Sequence, residues 1–388
     1  MEFNKTYLKY LCCLLPFILS AIVYTQSTPV FANGLLVLKI AVFLYIAKEY
    51  IEDNQFSKFD AALGIYLFAW LLSSLINGTG KVSHIKEAAT IVSYVVIIEN
   101  AFNKKEEKHL LFAFEHLLFL LLTANLVSLI LYSGGVWSTY TVYGQEAIYS
   151  FLGLYNQVTP ILIVAEFILL MRLNYDSYRI SWYSLAFAVV LGGNIYLMRS
   201  ATGIIGCVLV PIVMWLGFIF REHINIKTVS VIVICITLII VVFRQQDIFT
   251  FLIEDVFKKD LNLTNRVGIW DRAVEMIKEK PLIGYGCGSL EAIVVDRNAH
   301  DFYLQIMLQC GLIGFASYVN IFYTALKTVW KNKTLNGSII VAAALCGYMI
   351  CSIVEVYNQL WLMIILIFGY NVMAFPEEIQ PAGEEDAN

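Results

Sequence analysis

The chain contains twelve apolar segments of roughly twenty residues, separated by short polar stretches. A helix needs about 20 largely apolar residues to cross the hydrocarbon core of a bilayer. Runs such as ITLIIVVF and MIILIF are continuous, whereas the strands of a membrane barrel alternate apolar and polar residues. The composition agrees, because 59% of the 388 residues are hydrophobic and only 14% are charged. The sequence therefore predicts an all-α polytopic membrane protein with about 12 transmembrane helices. The predicted spans are 9–27, 30–48, 60–77, 86–102, 109–132, 155–172, 180–199, 201–220, 228–243, 300–326, 337–355 and 358–375.

Positive charge is distributed unevenly between the two sides of these spans. With the N-terminus placed in the cytoplasm, the inner segments hold 14 Lys and Arg residues and the short outer segments hold 3. Lys and Arg are enriched in short cytoplasmic loops, so we expect both termini inside and the long segment 244–299 outside. Lys5 and Lys9 precede the first apolar run, but AIVYTQS offers no small-x-small cleavage site. We therefore interpret this run as an uncleaved helix rather than a signal peptide.

The spans divide the chain into four parts. Residues 1–243 hold predicted helices 1–9, and residues 244–299 form one long extracytoplasmic loop with short helices. Residues 300–375 hold helices 10–12, and residues 376–388 form an acidic cytoplasmic tail. A second outer segment, 133–154, is rich in Gly, Tyr and Trp, which is typical of an interfacial loop.

The net charge argues against a nucleic-acid-binding protein, and the positions of the cysteines argue against a metal site. A net charge of −4 argues against nucleic acid as a partner, because nucleic acid is bound by basic surfaces. Seven of the eight cysteines fall within the predicted spans and only Cys287 lies in the long loop. The adjacent pair Cys12 and Cys13 lacks the ligand spacing of a metal site. We expect these cysteines to pack as small apolar residues.

The long loop is the part of the chain in which function is expected, because long ordered loops are rarely simple connectors. A helix is predicted from Thr264 or Asn265 to about Lys280, where Pro281 ends it. Its apolar face would lie near the membrane surface, with Arg266 at the positive N-terminal end, where a phosphate can bind. Alternatively, Arg266 only solvates the helix surface. The residues that share this face are Arg266, Ile269, Trp270, Ala273 and Ile277.

A glycine-rich turn follows, with the pattern Gly284-x-Gly286-x-Gly288. It lacks the preceding strand and following helix of a dinucleotide-binding loop. We interpret it as a flexible turn that returns the chain to the membrane.

Two polar residues stand at the ends of spans. His300 lies where the loop meets the tenth span, and an imidazole there can act as a general base near neutral pH. Asp301 is adjacent, but neighbouring residues on a helix do not face each other, so a hydrogen bond between them is not implied. Arg199 ends the seventh span. Placing a guanidinium inside a membrane costs free energy, so an arginine there points to function. At the interface, in contrast, the side chain only extends its charge into water.

Taken in chain order, these motifs resemble one family. MRSATG at the exit of a span, TNRVGIWDRAVEMIKEKPLIGYGCGSL in the loop and AHDFYLQIMLQCGLIG at the next span resemble the O-antigen ligase and O-antigen polymerase (Wzy-type) superfamily. The resemblance is specific over residues 195–318. It implies a GT-C-like glycosyltransferase on the outer face of a bacterial cytoplasmic membrane, with a glycan on undecaprenyl diphosphate as donor. It maps the family's arginines to Arg199 and Arg266 and its histidine to His300, which Asp301 follows here instead of the common Asn.

The resemblance also implies roles for these residues. Arg199 and Arg266 would stabilise the polyprenyl diphosphate leaving group. His300 would take the proton of the acceptor hydroxyl, with inversion at the anomeric carbon. The loop has no DxD-type carboxylate pair, so we expect a route without metal or cofactor. The expected partners are an undecaprenyl-diphosphate-linked oligosaccharide donor and acceptor, membrane lipids and a chain-length regulator. The residues expected to bind substrate are Trp270, Arg272, Arg297, Asp301 and Tyr303.

Several functions remain open at the level of sequence. A polymerase joins repeat units, whereas a ligase passes the glycan to another acceptor; the motifs do not separate them, and we favour the polymerase as the commoner function. A transporter would show internal repeats and charged mid-span residues. No repeat is found, and the mid-span acids Glu115 and Glu166 have no evident partner in the sequence. A purely structural membrane protein would not need the long loop.

Overall fold

The structure is a computed structural model that describes residues 4–23, 29–53, 56–79, 82–132, 135–140, 146–221, 223–239, 266–287 and 298–375. Several sequence predictions lie outside the described residues. They concern Arg297, Gly288, the helix start at Thr264 or Asn265, the parts 244–265 and 288–297 of the long loop, and the tail 376–388.

Each of the twelve predicted spans coincides with a helix, which confirms the all-α polytopic membrane fold. The ends agree within about five residues wherever the structure describes them, whereas 24–27 of the first span and 240–243 of the ninth lie outside the described residues. A thirteenth helix in the described part of the chain, α10, is the one predicted in the loop. The helices are α1 (Lys5–Val23), α2 (Pro29–Glu52), α3 (Lys58–Ile76), α4 (Val82–Asn103), α5 (Glu107–Leu131), α6 (Thr159–Tyr175), α7 (Trp182–Met198), α8 (Ala201–Ile219), α9 (Ile226–Thr237), α10 (Arg266–Glu279), α11 (Phe302–Lys331), α12 (Asn336–Cys351) and α13 (Gln359–Tyr370), with a final 3₁₀ turn at Val372–Ala374.

The described helices differ in length in a way that matters for the site. Five of them are long and apolar enough to cross a membrane, namely α2, α3, α5, α8 and α11. Helices α12 and α13 are apolar but have only 16 and 12 residues, and 12 residues rise only about 18 Å. They are short because the non-helical segment 352–358 interrupts the hairpin between them. Non-helical backbone at such a place is tolerated where protein surrounds it.

Helices α12 and α13 form the centre of the bundle. Fourteen of the 16 residues of α12 and 11 of the 12 residues of α13 are buried. Helix α12 packs against α6 and α8, and small residues bring the backbones together: a Cβ on Gly347 would lie 2.6 Å from the Gly206 carbonyl oxygen. Small residues have this role at many helix contacts in membranes. Helix α2 is peripheral, with only Ile46 and Tyr50 buried.

Ion pairs collect at one end of the bundle, where α1 begins and α4 ends; we call it the basic end. Lys9 and Lys104 both contact Glu49, at 2.7 and 3.2 Å. Glu115, for which the sequence offered no partner, lies 3.6 Å from the Arg172 guanidinium. The sequence reasoning was wrong on this point because Arg172 lies on another helix, 57 positions along the chain, and only packing of α5 against α6 brings the two together.

The outer segment between α5 and α6 is a small sheet rather than a plain loop. Strands β1 (Trp137–Tyr140), β2 (Glu146–Ser150) and β3 (Gly153–Leu154) pair antiparallel in that order. Aromatic and β-branched residues favour strands, and the segment is rich in them. Asn125 fastens the sheet to α5, because its Oδ1 accepts a hydrogen bond from the Leu152 amide at 2.8 Å.

Helix α11 is kinked at Gly311, which has φ 61° and ψ −164°. The segment 281–286 fills the break with four backbone hydrogen bonds. The amides of Tyr285 and Gly286 donate to the carbonyls of Leu308 and Gln309, and the amides of Leu312 and Ile313 donate to the carbonyls of Pro281 and Leu282. The turn is therefore pinned to α11 rather than flexible, because the loop satisfies the backbone groups that the kink leaves without helical partners.

Replacing Gly311 with alanine should destabilise the protein by about 1–3 kcal/mol or more, since the position has a positive φ and a Cβ would lie 2.3 Å from the Leu282 backbone. The measurement is the melting temperature of the purified protein in detergent. Gly64→Ala in α3 is the control, because a Cβ there meets nothing within 4 Å. Equal melting temperatures for the two variants would contradict the described kink.

Candidate active site

Helix α10 carries the predicted loop arginine. Ile269, Ala273 and Met276 on its apolar face are buried in a cluster with Ala299 and Leu308. The amphipathic helix predicted from the sequence is confirmed, but its apolar face packs on the start of α11. This contact with protein fixes the N-terminal end of α10 beside the segment 352–358.

His300 is held by a tight turn before α11. Its backbone has φ 48°, a left-handed conformation that is uncommon for residues other than glycine. The His300 amide donates to Asn298 Oδ1 at 2.8 Å, and the Ala299 amide donates to Gln305 Oε1 at 2.9 Å. Asp301 caps α11 by accepting the Leu304 amide at 2.7 Å. These bonds fix the direction in which the imidazole points.

Arg266 and His300 converge on Glu355 in the segment 352–358. Arg266 Nη2 lies 2.6 Å from Glu355 Oε1, and its Nη1 donates to the Val354 carbonyl at 2.5 Å. His300 Nδ1 lies 3.9 Å from the other carboxylate oxygen, Oε2. One carboxylate thus joins the loop helix to the entry of α11. The distance to His300 exceeds a hydrogen bond, so a shift of about 1 Å would be needed to form one, and catalytic hydrogen bonds often tighten only when substrate binds.

The surroundings of Glu355 favour its ionised form, although the residue is only 6% exposed. Burial by itself would raise the pKa of this carboxyl, but the His300 imidazole, the Arg266 guanidinium and the Asn156 amide together hold the pKa below its usual range. Asn156 Nδ2 donates to Glu355 Oε1 at 3.0 Å. The charge is therefore present above the ordinary carboxyl pKa and is lost as the pH falls through the lowered value.

Arg199 lies at the junction of α7 and α8. It ends α7 with φ 50° and ψ 27°, so it shares with His300 a backbone conformation that tends to occur at functional sites. Its side chain is exposed and makes no hydrogen bond or ion pair with the part of the chain that the structure describes. The Thr202 carbonyl accepts a hydrogen bond from Cys351 Sγ at 3.1 Å, which brings the start of α8 to the end of α12, four residues before Glu355. The Arg199 guanidinium thus lies at the same end of the bundle as Glu355, with no ionic partner among the described residues.

The predicted substrate-binding residues occupy different environments. Trp270 is fully buried in a cluster with Ile353. The Tyr303 hydroxyl donates to the Met349 carbonyl at 3.2 Å. Arg272 is on the exposed face of α10, 3.1 Å from Glu275. Only Asp301 directly adjoins His300, and Arg297 is outside the described residues.

Sequence reasoning missed Glu355 and Asn156. A clue to Glu355 was present, because it is the single charged residue between positions 336 and 375, and an ionisable residue in an apolar region of a membrane protein points to function. Asn156 gave no such clue, since it follows an aromatic-rich segment with several polar residues.

Two comparisons with known proteins bear on these residues. The family model described as O-antigen ligase matches residues 186–319, a stretch that contains Arg199, Arg266 and His300. A protein of Rickettsia conorii with the provisional name polysaccharide ligase is 27% identical over 160 residues, which is 37% of this chain and 39% of the relative. The aligned region thus spans well under half the length of that relative. The match and the relative confirm that this multi-pass membrane protein resembles the O-antigen ligase and polymerase superfamily, whose ligase domain corresponds to residues 186–319.

Proposed function

We propose that the chain is a polysaccharide polymerase for O-antigen, capsule or exopolysaccharide. It joins undecaprenyl-diphosphate-linked repeat units on the outer face of the cytoplasmic membrane by metal-independent, inverting glycosyl transfer. The observation that carries the proposal is the convergence of Arg266 and His300 on the buried carboxylate of Glu355. A fixed cation and an imidazole side by side are what departure of a diphosphate and attack by a hydroxyl require.

The arginines act on the leaving group. When the bond between the anomeric carbon and the diphosphate oxygen breaks, the polyprenyl diphosphate gains negative charge. Arg266 uses two N–H groups for Val354 and Glu355, and a guanidinium has five, so three remain for phosphate oxygens. Arg199 adds a second positive charge, which no described carboxylate neutralises. Fixed cations that need no reorganisation stabilise such charge in the transition state.

His300 acts on the acceptor. Its side chain is 23% exposed, so an acceptor sugar can reach the imidazole. A ring nitrogen takes the hydroxyl proton while the acceptor oxygen bonds to the anomeric carbon from the face opposite the diphosphate, which inverts the configuration. Glu355 stabilises the imidazolium that results, because a nearby carboxylate favours the protonated ring. The products are the lengthened glycan and free polyprenyl diphosphate.

The place of these residues in the fold suits a lipid-linked substrate. Glu355 lies between two short helices at one end of an apolar bundle. A carrier tail can remain in the hydrocarbon while its diphosphate and sugars reach this end through the interface. The excess of Lys and Arg at the other side of the spans supports an extracytoplasmic orientation for the site and cytoplasmic termini.

A ligase is the second candidate, because the matched family and the Rickettsia relative are both described as ligases. The two functions share the donor chemistry and differ in the acceptor. A polymerase extends a glycan that stays on its carrier when lipid-linked repeat units are the only substrate. A ligase leaves these units unchanged until a different acceptor is added, so the product of the single-substrate reaction separates the two.

The protein in liposomes with undecaprenyl-diphosphate-linked oligosaccharide and EDTA should release undecaprenyl diphosphate and make longer glycans. His300→Ala should lower the rate by about a hundredfold or more, since general bases contribute about 10²–10⁴-fold, and Arg199→Ala and Arg266→Ala should lower it because diphosphate departure loses a cation. The release of undecaprenyl diphosphate and the length of the glycan are measured together.

His223→Ala and Arg179→Ala are the matched controls, because both side chains are exposed in loops that join helices at the basic end. They remove the same residue types without touching the site. Full activity of His300→Ala would remove the proposed base, and activity that requires added divalent metal would contradict the metal-independent route.

Glu355→Gln should lower the transfer rate by about tenfold or more, because the imidazolium loses the carboxylate that stabilises it. The conservative amide keeps the size of the side chain, so a packing defect is avoided. The transfer rate is measured alongside the wild type and Arg266→Ala. A rate equal to that of the wild type would contradict the proposed role of Glu355.

A further inference from the structure

An apolar groove of about 830 Å³ runs along the lipid-facing side of the bundle between α9 and α11. Its wall includes Ile234 of α9 and Phe315, Val319 and Phe322 of α11. It extends from Tyr303 near the site to Trp330 at the basic end. Beyond the kink at Gly311, the lining residues Phe315 and Trp330 are 15 positions apart, which corresponds to about 22 Å. The groove is therefore long enough to hold hydrocarbon chains.

The two ends of the groove differ in charge. Lys227 and Lys327 line it near Trp330, and the Lys227 ammonium lies 3.4 Å from the centre of the Trp330 ring. Neither lysine forms an ion pair with a carboxylate in the described part of the chain. The positive N-terminal end of α9 begins one residue earlier, at Ile226, and adds to the local potential. At the other end, Tyr303 and Met349 bring no charge.

We propose that this groove binds an anionic phospholipid, with its phosphate between Lys227 and Lys327 and its acyl chains along α11 toward Val319. Trp330 lies at the level of the headgroup, where tryptophan is enriched in membrane proteins. Basic pockets between helices bind anionic headgroups on the cytoplasmic side. Among the described residues that line the groove, the cations Lys227 and Lys327 both lie at the basic end, on the opposite side of the bundle from the proposed diphosphate site at Arg266. This placement favours a phospholipid over a polyprenyl diphosphate carrier as the occupant.

The test compares dioleoylphosphatidylglycerol with dioleoylphosphatidylcholine, which have identical chains. Binding to the delipidated full-length protein in neutral detergent is measured by native mass spectrometry. We expect the anionic lipid to bind about thirtyfold more tightly, since each of the two lysines near the headgroup contributes about 1 kcal/mol and about 1.4 kcal/mol corresponds to a tenfold change. Lys227→Gln combined with Lys327→Gln should abolish this preference.

Lys108→Gln is the control for charge, because Lys108 is an exposed lysine at the basic end outside the groove. Equal binding of the two lipids to the wild type, or a preference that survives in the double variant, would overturn the proposal. Both lysines are exposed, and an unchanged melting temperature without lipid verifies that the double variant is folded.

A second pair of variants tests where the chains lie. Val319→Trp fills the groove and should weaken binding of both lipids, whereas Leu312→Trp, on the same helix but outside the groove, should not. Unchanged binding in Val319→Trp would overturn the proposal. It would also be overturned if undecaprenyl phosphate displaced phosphatidylglycerol from the wild type and its own binding depended on Val319 but not on the lysines.

Discussion

The site depends on the ion pair between the buried carboxylate of Glu355 and the guanidinium of Arg266. The carboxylate is buried between α12 and α13, and it binds a guanidinium from the loop and faces an imidazole from the entry of α11. Removing one partner of a buried ion pair typically costs about 3–5 kcal/mol, because the remaining charge stays buried without compensation. The loop helix is therefore held in place by the same charges that the proposed reaction uses. A change at Glu355 should therefore affect both the stability of the fold and the proposed reaction.

The placement of this carboxylate follows from the interruption of a central hairpin. The apolar residues of α12 and α13 could have formed two full-length spans, but the chain leaves the helical conformation at residues 352–358. At this break, Glu355 is met by side chains from the segment before α6, from the start of α10 and from the turn before α11. Asn156, Arg266 and His300 each come from a different region of the sequence. The buried centre of the bundle thus supplies the Glu355 carboxylate, and the less buried side chains of Asn156, Arg266 and His300 surround it.

The fold could be predicted from the sequence because hydrocarbon thickness fixes the length of an apolar run. The loop helix could be predicted from the spacing of Ile269, Trp270 and Ala273, which repeats at the helical period. What could not be predicted was pairing between distant segments. The contact of Arg172 with Glu115 and that of Asn156 with Glu355 depend on which helices pack together, and hydropathy carries no information about this. The small sheet at 137–154 was missed because its strands are too short to show a pattern.

The pinned turn at residues 281–286 has a consequence for how reactants enter. Helix α10 is fixed at its beginning by the ion pair of Arg266 with Glu355 and just beyond its end by four backbone hydrogen bonds to α11. A helix anchored at both ends cannot swing outward as a flap without breaking one anchorage. If the chain carries out the proposed glycan transfer, the sugar chains must pass along a route that leaves α10 stationary, with this helix as a fixed border of the site.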